Sequence, residues 1–311
     1  MKVLLTGASS FTGLWIAESL AAAGHKVTAA LHRPITAYEG LRGERVARLA
    51  ACAERIEACS FGGDAFLDLI TERSFDLLCH HAAQVANYKS PDFDIAGAVH
   101  DNTYRLPDIL MRMSGLRGVV LTGTVFEANE GGGAQPRAAF TPYGESKTLT
   151  SAAFAGECAK RGVPLTRFII PYPFGPYEEP RFCHYLMSCW AKNEPAKIAS
   201  PDYVRDNIPV SLLALAYADA ATRILGGDPV ARVAPSGYVE TQGHFARRLS
   251  REMAARLGRD CPVIFMQQTE FPEPRICIND GAVDAGHLGW DEDASWAELA
   301  AWYRARYFPS H

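Results

Sequence analysis

Short apolar runs alternate with amphipathic stretches through the first half of the chain. Residues 2–6 read as an apolar strand, and 13–23 carry Leu14, Ala17, Leu20 and Ala21 at helical spacing. Gly24 stops that helix, and 26–31 read as a second strand. The rhythm repeats as a helix over 42–53, a strand over 55–60, a helix over 64–72 and a strand over 75–80. A long helix over 95–113, a strand over 118–122, a helix over 142–161 and a strand over 164–170 follow. Thr141 stands where it can cap the 142–161 helix, with Pro142 at the first helical position. Such alternation predicts an α/β fold built on a doubly wound parallel sheet.

After residue 170 the rhythm changes. Four prolines and a glycine over 171–180 suit an irregular loop. Helices are expected over 182–192, 210–225, 245–257 and 294–307, with a strand and a proline-rich strand region between them. These residues read as a smaller C-terminal lobe. The expected division is 1–171 plus about 206–233 for a dinucleotide-binding domain, and about 172–205 plus 234–311 for a substrate-binding lobe. No repeat is visible, and Gly131 to Gly133 is the one low-complexity patch.

Bulk properties narrow the function. The 311 residues carry a net charge of −4 with both signs spread along the chain, so no basic patch points to nucleic acid. No apolar run reaches the ~20 residues of a membrane span. The chain runs from Met1 straight into a strand and a glycine turn, without signal-peptide anatomy. Eight cysteines are scattered, without metal-ligand spacing, which reads as reduced thiols in a cytoplasmic protein and no metal site.

Candidate chemistry begins at the first strand–helix junction. Gly7, Ser10 and Gly13 occupy a G-x-x-G-x-x-G loop, with Ser9, Phe11 and Thr12 between them. Glycines there permit a tight turn and let backbone approach a pyrophosphate seated on the helix N-terminus. Ser10 replaces the middle glycine and offers a hydroxyl to phosphate. After the second strand come His32 and Arg33 with no acidic residue, which favours NADP(H) over NAD(H). Asp64 is placed either to accept from an adenine amino group or to cap its own helix.

Tyr143 and Lys147 are four residues apart and share a helical face. A free phenol ionises near pH 10, outside the working range, and a neighbouring ammonium favours the phenolate. The lysine can also hold a nicotinamide ribose, while a threonine hydroxyl, Thr122 or Thr124, orients a substrate oxygen.

On these residues the chain resembles the extended short-chain dehydrogenase/reductases, in particular the nucleotide-sugar epimerase/dehydratase group. The resemblance covers most of the chain and is densest over 1–225. His80-His81-Ala82-Ala83 resembles the family's cofactor-lining turn, which implies cofactor contacts for His80, Ala82 and Ala83. Asn102 matches a structural asparagine, and Thr122 falls at the catalytic Ser/Thr position before Val125-Phe126. Phe174-Gly175-Pro176 matches the segment before the substrate lobe, and the Val204 to Ile208 stretch carries Arg205 where the family binds a pyrophosphate. The resemblance also puts Pro171 at the cofactor and Gln84 and Tyr172 at the substrate. It implies a Rossmann sheet and a homodimer packed through 95–113 and 142–161. Gly123-Thr124 replaces the Asp-Glu pair of the dehydratases, which argues against sugar dehydration, and Tyr172 replaces an asparagine.

Arg181 and Arg205 are candidates for a diphosphate clamp, with surface ion pairs as the alternative. The 126–141 loop, with Glu127 and Glu130, is long enough for a lid or is a plain surface loop. Cys183-His184 offers acid–base groups or is a chance pair. The expected activity is a nucleotide-sugar 4-ketoreductase using NADPH. Alternatives are a 4-epimerase with tightly bound NAD, a reductase of a non-nucleotide carbonyl compound, and a non-catalytic nucleotide sensor.

Overall fold

The computed structural model describes residues 1–132 and 137–308. In chain order the first elements are β1 (Lys2–Thr6), α1 (Phe11–Ala22), β2 (Lys26–Ala30), α2 (Gly40–Leu49), β3 (Ala53–Ile56), α3 (Asp64–Glu72), β4 (Leu77–His80), α4 (Ile95–Thr103), α5 (Leu106–Arg112), β5 (Gly118–Thr124), α6 (Pro142–Arg161) and β6 (Leu165–Ile170). Then come β7 (Tyr172–Phe174), α7 (Phe182–Ala191), β8 (Ala196–Ile198), β9 (Val204–Pro209), α8 (Val210–Gly226), β10 (Arg232–Val233), β11 (Tyr238–Thr241), α9 (Gln242–Leu257), β12 (Val263–Phe265), β13 (Ile276–Cys277) and α10 (Glu292–Tyr307). The chain forms two compact units, Met1–Ile170 with Ala214–Ala234, and Pro171–Leu213 with Pro235–His311.

The first unit is the expected doubly wound sheet. Its seven strands are parallel, in the order β10-β6-β5-β4-β1-β2-β3. Every residue of β4 and β5 is buried, as sheets covered on both faces require. The chain winds one way from β1 to β2 and β3, and the other way to β4, β5 and β6. The switch point therefore lies between β1 and β4, where open sheets of this kind bind nucleotides beyond the strands' carboxyl ends. Thr6 and His80 end those two strands side by side.

The helix expected over 95–113 is broken. α4 stops at Thr103, Arg105 takes a left-handed φ of 55°, and α5 starts at Leu106. Pro107 explains the break: in a continuous helix its ring would strike the carbonyl of Thr103, and it has no N–H to give. The third strand lies at Ala53–Ile56 rather than 55–60. It is an edge strand with no fully buried side chain, so apolar pattern could not fix its register.

In the second unit β9 pairs with β7 and β13 in parallel and with β11 antiparallel, and β8 pairs with β12. The 171–180 segment, expected to be irregular, thus supplies β7. A core of Phe174, Met187, Trp190, Phe245, Trp296 and Tyr303 joins α7, α9 and α10. Asp206 is fully buried and accepts from the N–H groups of Gly237, at 2.7 Å, and Asn279, at 3.0 Å, so β9 is tied to two later segments. None of the eight cysteines forms a disulfide, and six of them are buried. No helix among the described residues is long and apolar enough to cross a membrane.

Candidate active site

The loop from β1 to α1 is built on close backbone approaches. Gly7 has a φ of 74°, and a Cβ there would lie 2.7 Å from the Ala82 nitrogen. A Cβ on Gly13 would lie 2.2 Å from the Gly7 carbonyl oxygen. The loop is thus as tight as a dinucleotide-binding turn requires, and the residues fit that cofactor. Ser10 caps α1: its Oγ accepts from the Gly13 N–H at 3.1 Å and donates to the Gly7 carbonyl at 2.8 Å. Its hydroxyl hydrogen is therefore used inside the loop. Ser9 and Thr12 are partly exposed, whereas the Phe11 side chain is buried at 4% exposure and leaves only its backbone to face a ligand.

At the turn after β4 the two histidines divide. His80 was expected at the cofactor, but it is 1% exposed, stacks on Phe154 at 5.0 Å, and has Nδ1 3.1 Å from Thr6 Oγ1. Burial, then the Lys147 charge, push its pKa down to about 3. It is a core residue because the strand's alternation turns it into the helix layer. His81 points the other way, to Thr122 and to the hydroxyls of the first loop. Ala82 and Ala83 are partly exposed, and the Ala82 N–H donates to Thr6 Oγ1 at 3.1 Å.

Thr122 and Thr124 close β5, and α6 lays its first turns against them. Thr141 caps α6 through the Gly144 N–H at 3.0 Å. Gly144 is forced by packing, since a Cβ there would lie 2.1 Å from the Phe126 carbonyl oxygen. That contact fixes the height of Tyr143 over the strand end. Three rings stand edge-on around Tyr143: Tyr88 at 5.6 Å, Phe93 at 5.9 Å and Phe126 at 6.4 Å. One turn on, Lys147 is 4% exposed and its Nζ donates to the Thr122 carbonyl at 2.7 Å. Burial lowers its pKa and Arg167 adds to that, while Glu127 opposes both. Asn102 braces the region, accepting from the Gln84 N–H at 3.0 Å and donating to Thr150 Oγ1 at 3.3 Å. Gln84 is exposed, with its Oε1 accepting from the Ala86 N–H at 3.0 Å. It borders a pocket of about 440 Å³ lined also by Ser90, Asp92, Phe93, Asp94 and Asp101.

The 126–141 segment, open between a lid and a plain surface loop in the sequence, buries its two acids; Gly133 to Pro136 lie outside the described residues. Glu127 and Glu130 are only 1% and 2% exposed. Glu127 accepts from the Thr124 N–H at 2.9 Å and from Arg167 at 2.8 Å; Glu130 pairs with Arg167 at 3.1 Å and Arg232 at 2.8 Å. Buried carboxylates paired this way anchor a loop.

After β2, His32 Nδ1 faces Ser60 Oγ at 2.7 Å, and the exposed Arg33 gives its backbone N–H to the Tyr38 hydroxyl at 3.1 Å. Asp64 is not a cap. It is the first residue of α3, follows the N-cap Gly63, and pairs with Arg105 at 2.8 Å.

In the second unit, Pro171 is buried and Arg181 is the exposed N-cap of α7. Arg205 departs from its expected role. It is 5% exposed, and its guanidinium donates to the carbonyls of Val204, Pro274 and Arg275 at 3.0–3.3 Å and to Glu273 at 2.9 Å. It lies 4.2 Å over Tyr203 and 5.5 Å over Tyr172. In this arrangement Nη1 is shared among three carbonyls and Nη2 holds the Glu273 carboxylate. Cys183 is core at 1% exposure, with burial holding its thiol well up, and His184 faces the Tyr307 hydroxyl at 3.0 Å.

What the first unit's groups share is the carboxyl edge of a parallel sheet at its switch point, where they fit a nicotinamide dinucleotide. The chain belongs to the NAD dependent epimerase/dehydratase family, whose model matches residues 3–223. No curated protein sequence matches it. Among solved structures it is similar to a UDP-glucuronic acid 4-epimerase variant from Bacillus cereus in complex with UDP-4-deoxy-4-fluoro-glucuronic acid and NAD, at 17% identity, 99% of this chain, 100% of that chain and a TM-score of 0.74. Pal from Bacillus thuringiensis gives 15% identity over 98% of this chain and 100% of that one, with a TM-score of 0.75. The UDP-glucose-4-epimerase of Stenotrophomonas maltophila, with NAD and formylated UDP-arabinopyranose, gives 17% over 98% of each chain, with a TM-score of 0.73.

Proposed function

We propose that the protein is a nicotinamide-dependent oxidoreductase acting at C4 of a nucleoside-diphosphate sugar, as a 4-ketoreductase. The observation that carries this reading is the clamp at the end of β5. Lys147 Nζ sits 2.7 Å from the Thr122 carbonyl, with Tyr143 one helical turn earlier on the same face. When bound, the nicotinamide supplies hydride to the substrate carbon. Tyr143 gives the proton to the carbonyl oxygen as it becomes a hydroxyl. The Lys147 charge stabilises the phenolate left behind, and a threonine hydroxyl, Thr122 or Thr124, orients the oxygen. Gly7, Ser9, Thr12, Gly13, Ala82 and Ala83 surround the dinucleotide on this reading. The exposed Arg33, with no acid beside it, supports NADPH as the reductant.

A 4-epimerase is the second reading. It is favoured by the 4-epimerases among similar structures and by the NAD named with them. Homodimerisation through α4, α5 and α6 belongs to both readings and is supported by the exposed Tyr104, Met111 and Leu149.

The test is loss of reduced-nicotinamide absorbance with NADPH and then NADH across nucleoside-diphosphate 4-keto sugars. Rapid loss with one of them is the expected outcome. Silence, with NAD released on denaturing the purified protein, moves the assignment to the epimerase. Tyr143→Phe should abolish turnover and spare cofactor binding, and unchanged turnover overturns the mechanism.

A further inference from the structure

His81 joins the dinucleotide loop to Thr122. Its Nδ1 lies 3.0 Å from Thr122 Oγ1, and its Nε2 lies 2.9 Å from Thr12 Oγ1 and 3.2 Å from Ser10 Oγ. Lys147 holds Thr122 from the other side, at its carbonyl. The buried Tyr217 also interacts with the Thr122 side chain, and the imidazole is the group that sets whether the Thr122 hydroxyl accepts or donates on the side of the dinucleotide loop.

A neutral imidazole carries one donor nitrogen and one acceptor nitrogen. In the first tautomer Nε2–H donates toward Ser10 or Thr12, and Nδ1 accepts the Thr122 hydroxyl hydrogen. That hydrogen is then spent, and Thr122 has none to give a substrate oxygen. In the second tautomer Nδ1–H donates to Thr122 Oγ1, and Nε2 must accept. Ser10 cannot supply that hydrogen, because its own goes to the Gly7 carbonyl at 2.8 Å. Thr12 can.

We propose that His81 is a positioning residue: Thr12 donates to Nε2, Nδ1–H donates to Thr122, and the Thr122 hydroxyl hydrogen is thereby left for the substrate oxygen. The inference rests on the reading that Thr122 orients that oxygen. Burial, then the Lys147 charge, hold the His81 pKa down at about 3, so the imidazolium does not compete at working pH. Since Thr12 opens α1 beside the dinucleotide loop, a change in that loop is felt at Thr122 through one ring.

The test reads the ring itself in the whole protein, with ¹⁵N-labelled histidine and two-bond H–N NMR. The expected result is a non-titrating Nδ1–H tautomer from pH 8 to 6 that inverts to Nε2–H in Thr12→Val. An Nε2–H tautomer in the native protein, or no inversion in Thr12→Val, overturns the proposal, and neither outcome needs a substrate. Turnover on the substrate found by the absorbance panel, at saturating cofactor, supplies a second readout. His81→Leu should lower kcat about tenfold, the loss of one hydrogen bond, with His81→Gln recovering part of it. In a Thr122→Ala background the His81→Leu effect should vanish. A role in packing alone would instead favour Leu over Gln and leave the two losses additive. If Tyr143→Phe keeps full turnover, the reading of the site fails while the NMR result still judges the tautomer.

Discussion

The polar groups around Thr122 and those around Arg205 look equally functional as sequence, yet they are built on opposite plans. Thr122 faces a neutral ring, itself held by the Thr12 hydroxyl, and both can reverse the direction of a hydrogen bond. At Arg205 a permanent cation is matched by three carbonyls and a carboxylate. A hydrogen bond that can reverse costs little to redirect toward a ligand. A guanidinium fixed by four protein acceptors keeps its direction and can reorient toward a phosphate only by giving up some of them. A family motif locates a residue, and its partners decide whether it is free to act.

The strongest way to break that contrast is Arg205→Ala. Removing a buried cation from its acceptors should cost about 4 kcal/mol of stability, read from urea unfolding, and leave cofactor affinity alone. Full stability with weakened nucleotide-sugar binding would make Arg205 a ligand after all.

Acid comes next. Unfolded histidine takes a proton near pH 6.5, but buried His80 takes one only near 3, so the unfolded state binds more protons between those values. Stability should therefore fall as pH drops through that window, by ~3 kcal/mol at pH 4 from His80 alone, and His81 acts in the same direction. A flat unfolding midpoint from pH 7 to 4 would refute this.

Glu178 has the opposite sign. It is 4% exposed, and burial raises its pKa from 4.5 to about 8. Its neutral form is the one the fold favours, so stability falls as pH rises from 4.5 to 8. Glu178→Gln should flatten that slope, so that the unfolding midpoint no longer falls between pH 5 and 8. The smallest effect is expected for Glu127→Gln. Arg167 keeps Glu130, so the fold should hold, while loss of a carboxylate that supports the Lys147 charge should move the alkaline pH–rate limb to lower pH.

Local features were legible in the sequence. The β1–α1 loop, the Thr141 cap and the Tyr143–Lys147 spacing all lie within a few residues of their own partners. Pro107 was legible too, but periodicity on both sides hid the break it makes between α4 and α5. What stayed hidden depends on distant partners. Glu273 is 68 positions from Arg205, and His81 is 69 from Thr12 and 41 from Thr122. The acids of the 126–141 loop read as polar surface because Arg167 and Arg232, on other strands, neutralise them only in the fold.

Gly123 and Glu127 set an order on how this site can change. A Cβ at position 123 would lie 2.7 Å from Glu127 Oε1 and 2.6 Å from Ile169 Cδ1. Any side chain introduced there, including the acid that a dehydratase carries, evicts the carboxylate, strands the Thr124 N–H and leaves Arg167 with Glu130 alone. The reverse sequence of steps, shortening residue 127 first and then filling 123, avoids that clash. The two positions are therefore coupled, and Ile169, 2.6 Å from the same Cβ, has to shift whichever of them changes first.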